Sequence, residues 1–252
     1  MSGSRSGPSG DVDDVAAGVR LLSLDAGNTI VFLDHRACAE IVASALARAV
    51  DDRALERAEG LSKRRLDLGT LLPPLPDADI TPAWGAFMAT MVQLGTGVDD
   101  ATAAECARAL WREHRRFNLW RTVPDGLVDG VRALRKAGVP VVVVSNSEGQ
   151  LEVLFAQLGL AGEFDLVIDS HVAGVEKPDP RIFQIALERA GVAARDALHL
   201  GDTFATDVVG ARAAGVRVAL IDPFAHYDGQ YPDVPRVAGV AAVCRAIVSA
   251  LT

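Results

Sequence analysis

Residues 19–29 read Val19-Arg20-Leu21-Leu22-Ser23-Leu24-Asp25-Ala26-Gly27-Asn28-Thr29. The apolar run stops at an acid, and the residues from Asp25 onward have turn chemistry, so a short buried strand ends in a loop here. Past Pro124 the alternation of strand, loop and helix continues. Helical patterns over residues 125–137, 148–158, 181–190, 206–214 and 237–251 alternate with strand-like runs at 140–144, 164–168, 197–200 and 216–221. Such alternation implies parallel strands joined by right-handed crossovers. Before Pro124 the signal differs. Residues 36–50 and 101–117 space apolar residues three and four apart with charges between, and four prolines make 71–82 a loop between helices. The expected architecture is α/β: a doubly wound parallel sheet over residues 19–33 and 120–252, interrupted after its first strand by an all-helical insert at 34–119.

Half of the 252 residues are hydrophobic, enough to bury a core domain and a smaller insert. A net charge of −8 argues against nucleic acid as a partner. Cys38, Cys106 and Cys244 are far apart with no CxxC spacing, which fits buried thiols in a reducing compartment rather than disulfides or zinc. Residues 1–18, mostly Gly, Ser and Asp, read as a disordered tail without a signal peptide. No apolar run approaches membrane-spanning length. The expectation is a cytoplasmic protein with no membrane partner.

Open parallel sheets bind ligands beyond the carboxyl ends of their strands. The first strand here ends in Asp25, the second in Ser145-Asn146-Ser147 and the fourth in Gly201-Asp202-Thr203, with Asp207 at the opening of the next helix. Lys177 lies in Gly174-Val175-Glu176-Lys177-Pro178-Asp179-Pro180, between the third strand and its helix. Carboxylates near one point repel unless a cation holds them, and oxygen ligands without His or Cys favour magnesium. A hydroxyl at a helix start, as at Ser145, suits a phosphate oxygen. Lys177 supplies a compact positive charge, and an aspartate can act as a nucleophile that forms an acyl-phosphate. Plainer roles stand beside these. Asp207 also suits a helix cap and Asp179 a turn, His199 reads as a core residue, His171 and His226 as loop residues, and Cys106 and Trp111 as helix packing. His114, Arg115 and Arg116 suit a solvated helix face or a grip on an anionic substrate.

The four segments, in this order and on these elements, resemble the signature motifs of the haloacid dehalogenase superfamily. The likeness covers roughly residues 19–221, and the helical insert resembles the cap of the branch that inserts it after the first strand. The resemblance implies a Rossmann-like hydrolase core with a helical cap that opens and closes over the substrate. It implies Asp25 as nucleophile and magnesium ligand, the Gly27 carbonyl and Asp202 as further ligands, and Asp207 binding the metal through water or holding Lys177. Ser145 would bind the transferring group, supported by Thr29 and Asn146. The implied substrate is a small phosphorylated metabolite, handled by a monomer or homodimer.

One position departs from the pattern. Phosphatases of the superfamily carry a second aspartate two residues after the nucleophile, which protonates the leaving oxygen; here that position is Gly27. General acid–base catalysis contributes about 10²–10⁴-fold, so four readings stay open. A phosphatase would draw its proton from elsewhere, with His35, Asp34 and Glu148 as candidates. A phosphonatase-like enzyme would use Lys63, the single lysine of the insert. A haloacid dehalogenase would need no leaving-group acid and no metal. A binding or regulatory protein would keep the fold without catalysis.

Overall fold

The computed structural model describes residues 12–252; the first eleven residues of the tail expected over residues 1–18 lie outside them. The chain forms two compact units, one of residues up to Phe32 together with Val123–Thr252, the other of Leu33–Thr122. In chain order the elements are α1 (Val12–Ala16), β1 (Leu21–Leu24), β2 (Phe32–Leu33), α2 (His35–Leu46), α3 (Asp52–Asp67), α4 (Pro82–Thr96), α5 (Asp100–His114) and β3 (Trp120–Thr122). There follow α6 (Leu127–Lys136), β4 (Val141–Ser145), α7 (Leu151–Gln157), β5 (Leu166–Asp169), α8 (Ser170–Ala173), α9 (Arg181–Ala190), β6 (Ala197–Gly201), α10 (Val209–Ala213), β7 (Arg217–Ile221), β8 (Arg236–Val237) and α11 (Val240–Ala250).

Six strands of the first unit make one parallel sheet in the order β5-β4-β1-β6-β7-β8. β1 is central because Leu21, Leu22 and Leu24 are all buried, as a strand covered on both faces requires. On one side of it the chain runs outward through β4 and β5, on the other through β6 and β7. The switch point where a doubly wound sheet binds its ligands therefore falls at the end of β1. Leu24 is in register with Val143 and with Leu200, which brings Asp25, Ser145 and Asp202 to the same end of three adjacent strands.

The tail expected over residues 1–18 is corrected in its described part. Val12–Ala16 is a helix that packs on α11 with Val15 and Ala16 buried. The Arg217 guanidinium donates to the carbonyls of Asp14, Val15 and Ala17 at 3.2, 2.6 and 2.6 Å, satisfying groups that a helix end leaves free.

In the second unit, α2, α3 and α5 each start at an aspartate, Asp34, Asp51 and Asp99, whose carboxylates accept the amides of Ala37, Arg53 and Thr102. Pro82 opens α4, where its missing N–H costs nothing. Val42, Leu55, Met88, Met91, Cys106 and Leu110 form a core of the unit's own. At Gly95 a Cβ would lie 2.7 Å from Leu55 Cδ2, so the glycine lets α3 and α4 approach. β2 and β3 pair as a two-stranded sheet, and Asp34 N–H donates to Leu119 O at 2.9 Å. Among the described residues no helix is long and apolar enough to cross a membrane.

Candidate active site

Asp25 leaves β1 with its amide bonded to Leu200 O at 2.8 Å, and its side chain is buried. The turn after it closes through Asn28, whose φ of 52° and amide bond to Val31 O, 2.6 Å, wrap the chain tightly. Asn28 Nδ2 donates to Asp202 Oδ2 at 3.2 Å, tying the β1 loop to the β6 loop. Thr203 Oγ1 donates to the other Asp202 oxygen at 3.1 Å.

Lys177 is the hub. Its Nζ donates to Asp25 Oδ1 at 2.5 Å and to Asp207 Oδ1 at 2.6 Å, and its side chain is almost wholly buried. The peptide of Lys177 is gripped in turn by Asn146: Nδ2 donates to Lys177 O at 2.9 Å and Oδ1 accepts Lys177 N–H at 2.8 Å. Asn146 thus builds the lysine loop with one N–H and one lone pair of its side-chain amide, in addition to the substrate role expected of it.

Asp207 sits in a π turn, Phe204–Val208, ahead of α10. Oδ1 takes Lys177, Oδ2 accepts Thr203 N–H at 3.0 Å, and His199 Nε2 lies 3.2 Å from Oδ1. The carboxylate presses against Gly201, where a Cβ would come within 2.2 Å of Asp207 Cγ. His199 Nδ1 in turn lies 2.9 Å from Ser23 Oγ. Neither Ser23 nor His199 stood out as a site residue from sequence. The available signal was a polar residue in each of two neighbouring apolar strands, and it becomes visible only when the two are in register.

Asp25, Asp202 and Asp207 each offer an oxygen within 4.8 Å of the others, and all three are buried. Burial raises the Asp25 pKa to about 7, with Asp207 and Asp202 adding repulsion that Lys177 only partly offsets. Burial also disfavours ionised Asp207, yet Lys177 and His199 outweigh it and hold that carboxyl well below the usual range. Lys177 is raised despite its burial because Asp207 and Asp25 face it. Burial is the largest influence on His199 and favours its neutral ring. A buried set of three carboxylates with one lysine, all-oxygen in its donors, matches the preference of magnesium.

Ser145 is buried at the end of β4, and Thr29 Oγ1 is buried without a hydrogen-bond partner, as is Ser147 Oγ. Glu148, in the loop after β4, has its carboxyl raised by burial and by Asp169. The candidates in the helical insert are engaged within it. Asp34 accepts Ala37 N–H at 2.9 Å and Arg121 Nε at 3.0 Å; burial raises its pKa, but these bonds outweigh it. His35 Nε2 is 2.7 Å from Glu59 Oε2, and Lys63 Nζ is 3.6 Å from the other Glu59 oxygen, with Glu59 and Lys63 buried. His114 stacks on Trp111, while Arg115 and Arg116 are largely exposed beside Asp79 and Glu113. Cys38, Cys106 and Cys244 are free and buried, and burial pushes the thiols of Cys38 and Cys244 to about 12.

Residues 19–215 match the haloacid dehalogenase-like hydrolase family. The bovine haloacid dehalogenase-like hydrolase domain-containing protein 3 is 31% identical over 206 residues, 81% of this chain and 82% of that protein. A phosphoserine phosphatase of Thermus thermophilus is 38% identical over 121 residues, 48% of this chain and 47% of the enzyme. Among solved structures, Bacillus subtilis YfnB bound to magnesium has the same fold, with a TM-score of 0.61 at 18% identity over 91% of this chain and 98% of that one. The L-2-haloacid dehalogenase of Xanthobacter autotrophicus does too, with a TM-score of 0.57 at 18% identity over 91% and 98%.

Proposed function

The chain belongs to the haloacid dehalogenase-like hydrolases, and on that premise we propose that it is a magnesium-dependent phosphatase that cleaves a small phosphomonoester through an aspartyl-phosphate on Asp25. The observation that carries the reading is the buried set of Asp25, Asp202 and Asp207 with one lysine among them. A metal-free dehalogenase has no use for that much negative charge. Asp25 and Asp202, with the Gly27 carbonyl, would hold magnesium, which when bound offsets charge on the phosphoryl oxygens. Asp207 has its oxygens taken by Lys177, Thr203 and His199, which supports the role of lysine holder.

Asp25 attacks phosphorus and the substrate's alkoxide departs. Lys177 and the hydroxyls of Ser145 and Thr29 stabilise the transferring group, and water then hydrolyses the acyl-phosphate to return Asp25 and release phosphate. Gly27 cannot protonate the departing oxygen. Of the three candidate acids, Glu148 has its proton held to higher pH by desolvation and Asp169, whereas Asp34 and His35 are engaged with Arg121 and Glu59. The net charge of −8 favours a small metabolite over nucleic acid, and the free buried cysteines support a cytoplasmic setting. A monomer or homodimer suffices for this chemistry.

Phosphate release across a panel of phosphorylated metabolites, with magnesium and with chelator, tests the reading. Release should require magnesium and fall by roughly 10³-fold or more in Asp25→Asn. Glu148→Gln should lower kcat by roughly 10²-fold, and Gly27→Asp should restore much of that loss. Chloride release from a haloacid in chelator would overturn the assignment, as would a folded wild-type chain that cleaves nothing in the panel.

A further inference from the structure

β1 and β6 are buried throughout, and Ser23 and His199 are their polar residues. The two face each other in register across the middle of the sheet. Polar side chains in such a place cost stability unless their hydrogen bonds are met. Here they are met in a line that leads to the site. Ser23 Oγ is 2.9 Å from His199 Nδ1, His199 Nε2 is 3.2 Å from Asp207 Oδ1, and the same oxygen takes Lys177 Nζ at 2.6 Å, whose other bond is to Asp25. We infer that His199, with its tautomer set by Ser23, is a positioning residue that orients Asp207 and through it holds Lys177 against Asp25. The inference rests on the phosphatase reading and assigns that site two residues outside its motifs.

The ionised Asp207 fixes the direction of one bond, and the inferred tautomer sets the other. An ionised carboxylate only accepts, so the proton between His199 and Asp207 belongs to Nε2. If the ring is neutral, Nδ1 then keeps a lone pair, and the inferred direction is from the Ser23 hydroxyl to Nδ1. Asp207 is thus held by three donors, Lys177, His199 and the Thr203 amide, and cannot rotate without losing one. Removing the serine frees the imidazole to carry its proton on Nδ1. It would then turn a lone pair toward the carboxylate, and the grip on Lys177 would loosen. The edge of Phe183 packs against the ring with centroids 4.9 Å apart, which limits any escape by tilting. A residue that merely filled the core would need neither the serine nor a particular tautomer.

Two measurements test this, and the first needs no substrate. In 15N-histidine-labelled wild type with magnesium at pH 7.5, His199 should be neutral with its proton on Nε2, and Ser23→Ala should move part of the population to Nδ1. A wild-type ring protonated on Nδ1, or a Ser23→Ala spectrum identical to wild type, would overturn the inference whether or not any phosphate ester is cleaved. The second is kinetic. His199→Leu should lose roughly 10- to 100-fold in kcat, with KM changed less than about threefold. His199→Gln places an amide donor within reach of Asp207 and should recover most of that loss. Equal losses in the two variants, or wild-type turnover in the leucine variant, would reduce His199 to packing. Absence of turnover in every form would defeat the phosphatase reading and leave the tautomer measurement to decide this one.

Discussion

Gly201 has no side chain because Asp207 occupies the place where one would stand, its Cγ 2.2 Å from an ideal Cβ. The demand is for close approach rather than for an unusual backbone angle. Gly201→Ala should therefore push Asp207 off Lys177, with a loss of at least about 10²-fold in turnover that kinetics on purified, folded protein would register. The loss should also exceed that from Asn146→Ala, which removes support from the lysine peptide but leaves the ammonium its two carboxylates. Much of this centre was legible in the sequence. Asp25, Lys177, Asp202 and Asp207 were found because strand ends in a parallel sheet converge. What stayed hidden was how the side chains share partners. Asn146 also grips the lysine peptide, and His199 looks like any core residue until Ser23 is seen opposite it.

Among the elements, α2, α5 and the buried strands announced themselves by periodicity, whereas α3 and α4 fell under a general change to helical signal and β2, β3 and β8, of two or three residues, are too short to show any. Helix α1 escaped for a different reason. Its carbonyls are satisfied by Arg217, some 200 positions away, a contact no local pattern encodes. The end of α5 illustrates a further long-range effect. His114 lies among Trp84, Trp111 and Trp120, and its Nδ1 accepts Leu119 N–H at 3.3 Å, a bond open only to the neutral ring. Burial lowers its pKa from 6.5 to about 4. The unfolded chain thus takes up this proton first as pH falls. The contribution to stability is whole above about pH 6.5 and drains away toward about pH 4, by up to about 3 kcal/mol. Urea denaturation at stepped pH should show that slope, and His114→Phe, which keeps the aromatic packing, should flatten it. Equal slopes in both proteins would remove His114 from the account.

At the scale of the molecule, the proposed magnesium site should make stability depend on cation supply. An ion that binds the native chain and not the unfolded one stabilises it by about 2.7 kcal/mol at a hundredfold excess over its Kd. For a chain of this size that is several degrees in Tm. A thermal scan should show the transition rise with magnesium, fall back with chelator, and lose its magnesium dependence in Asp202→Asn. Both units were foreseeable, since the change from strand–helix alternation to helices alone marks the insert. The insert's ends carry a consequence of their own. Because Asp34 N–H meets Leu119 O where the chain departs and returns, the insert is pinned at its own neck and closes on itself like a long loop. The entropic cost of closing such a loop grows only slowly with its length. A segment pinned in this way can change in length between one chain and the next at little entropic cost.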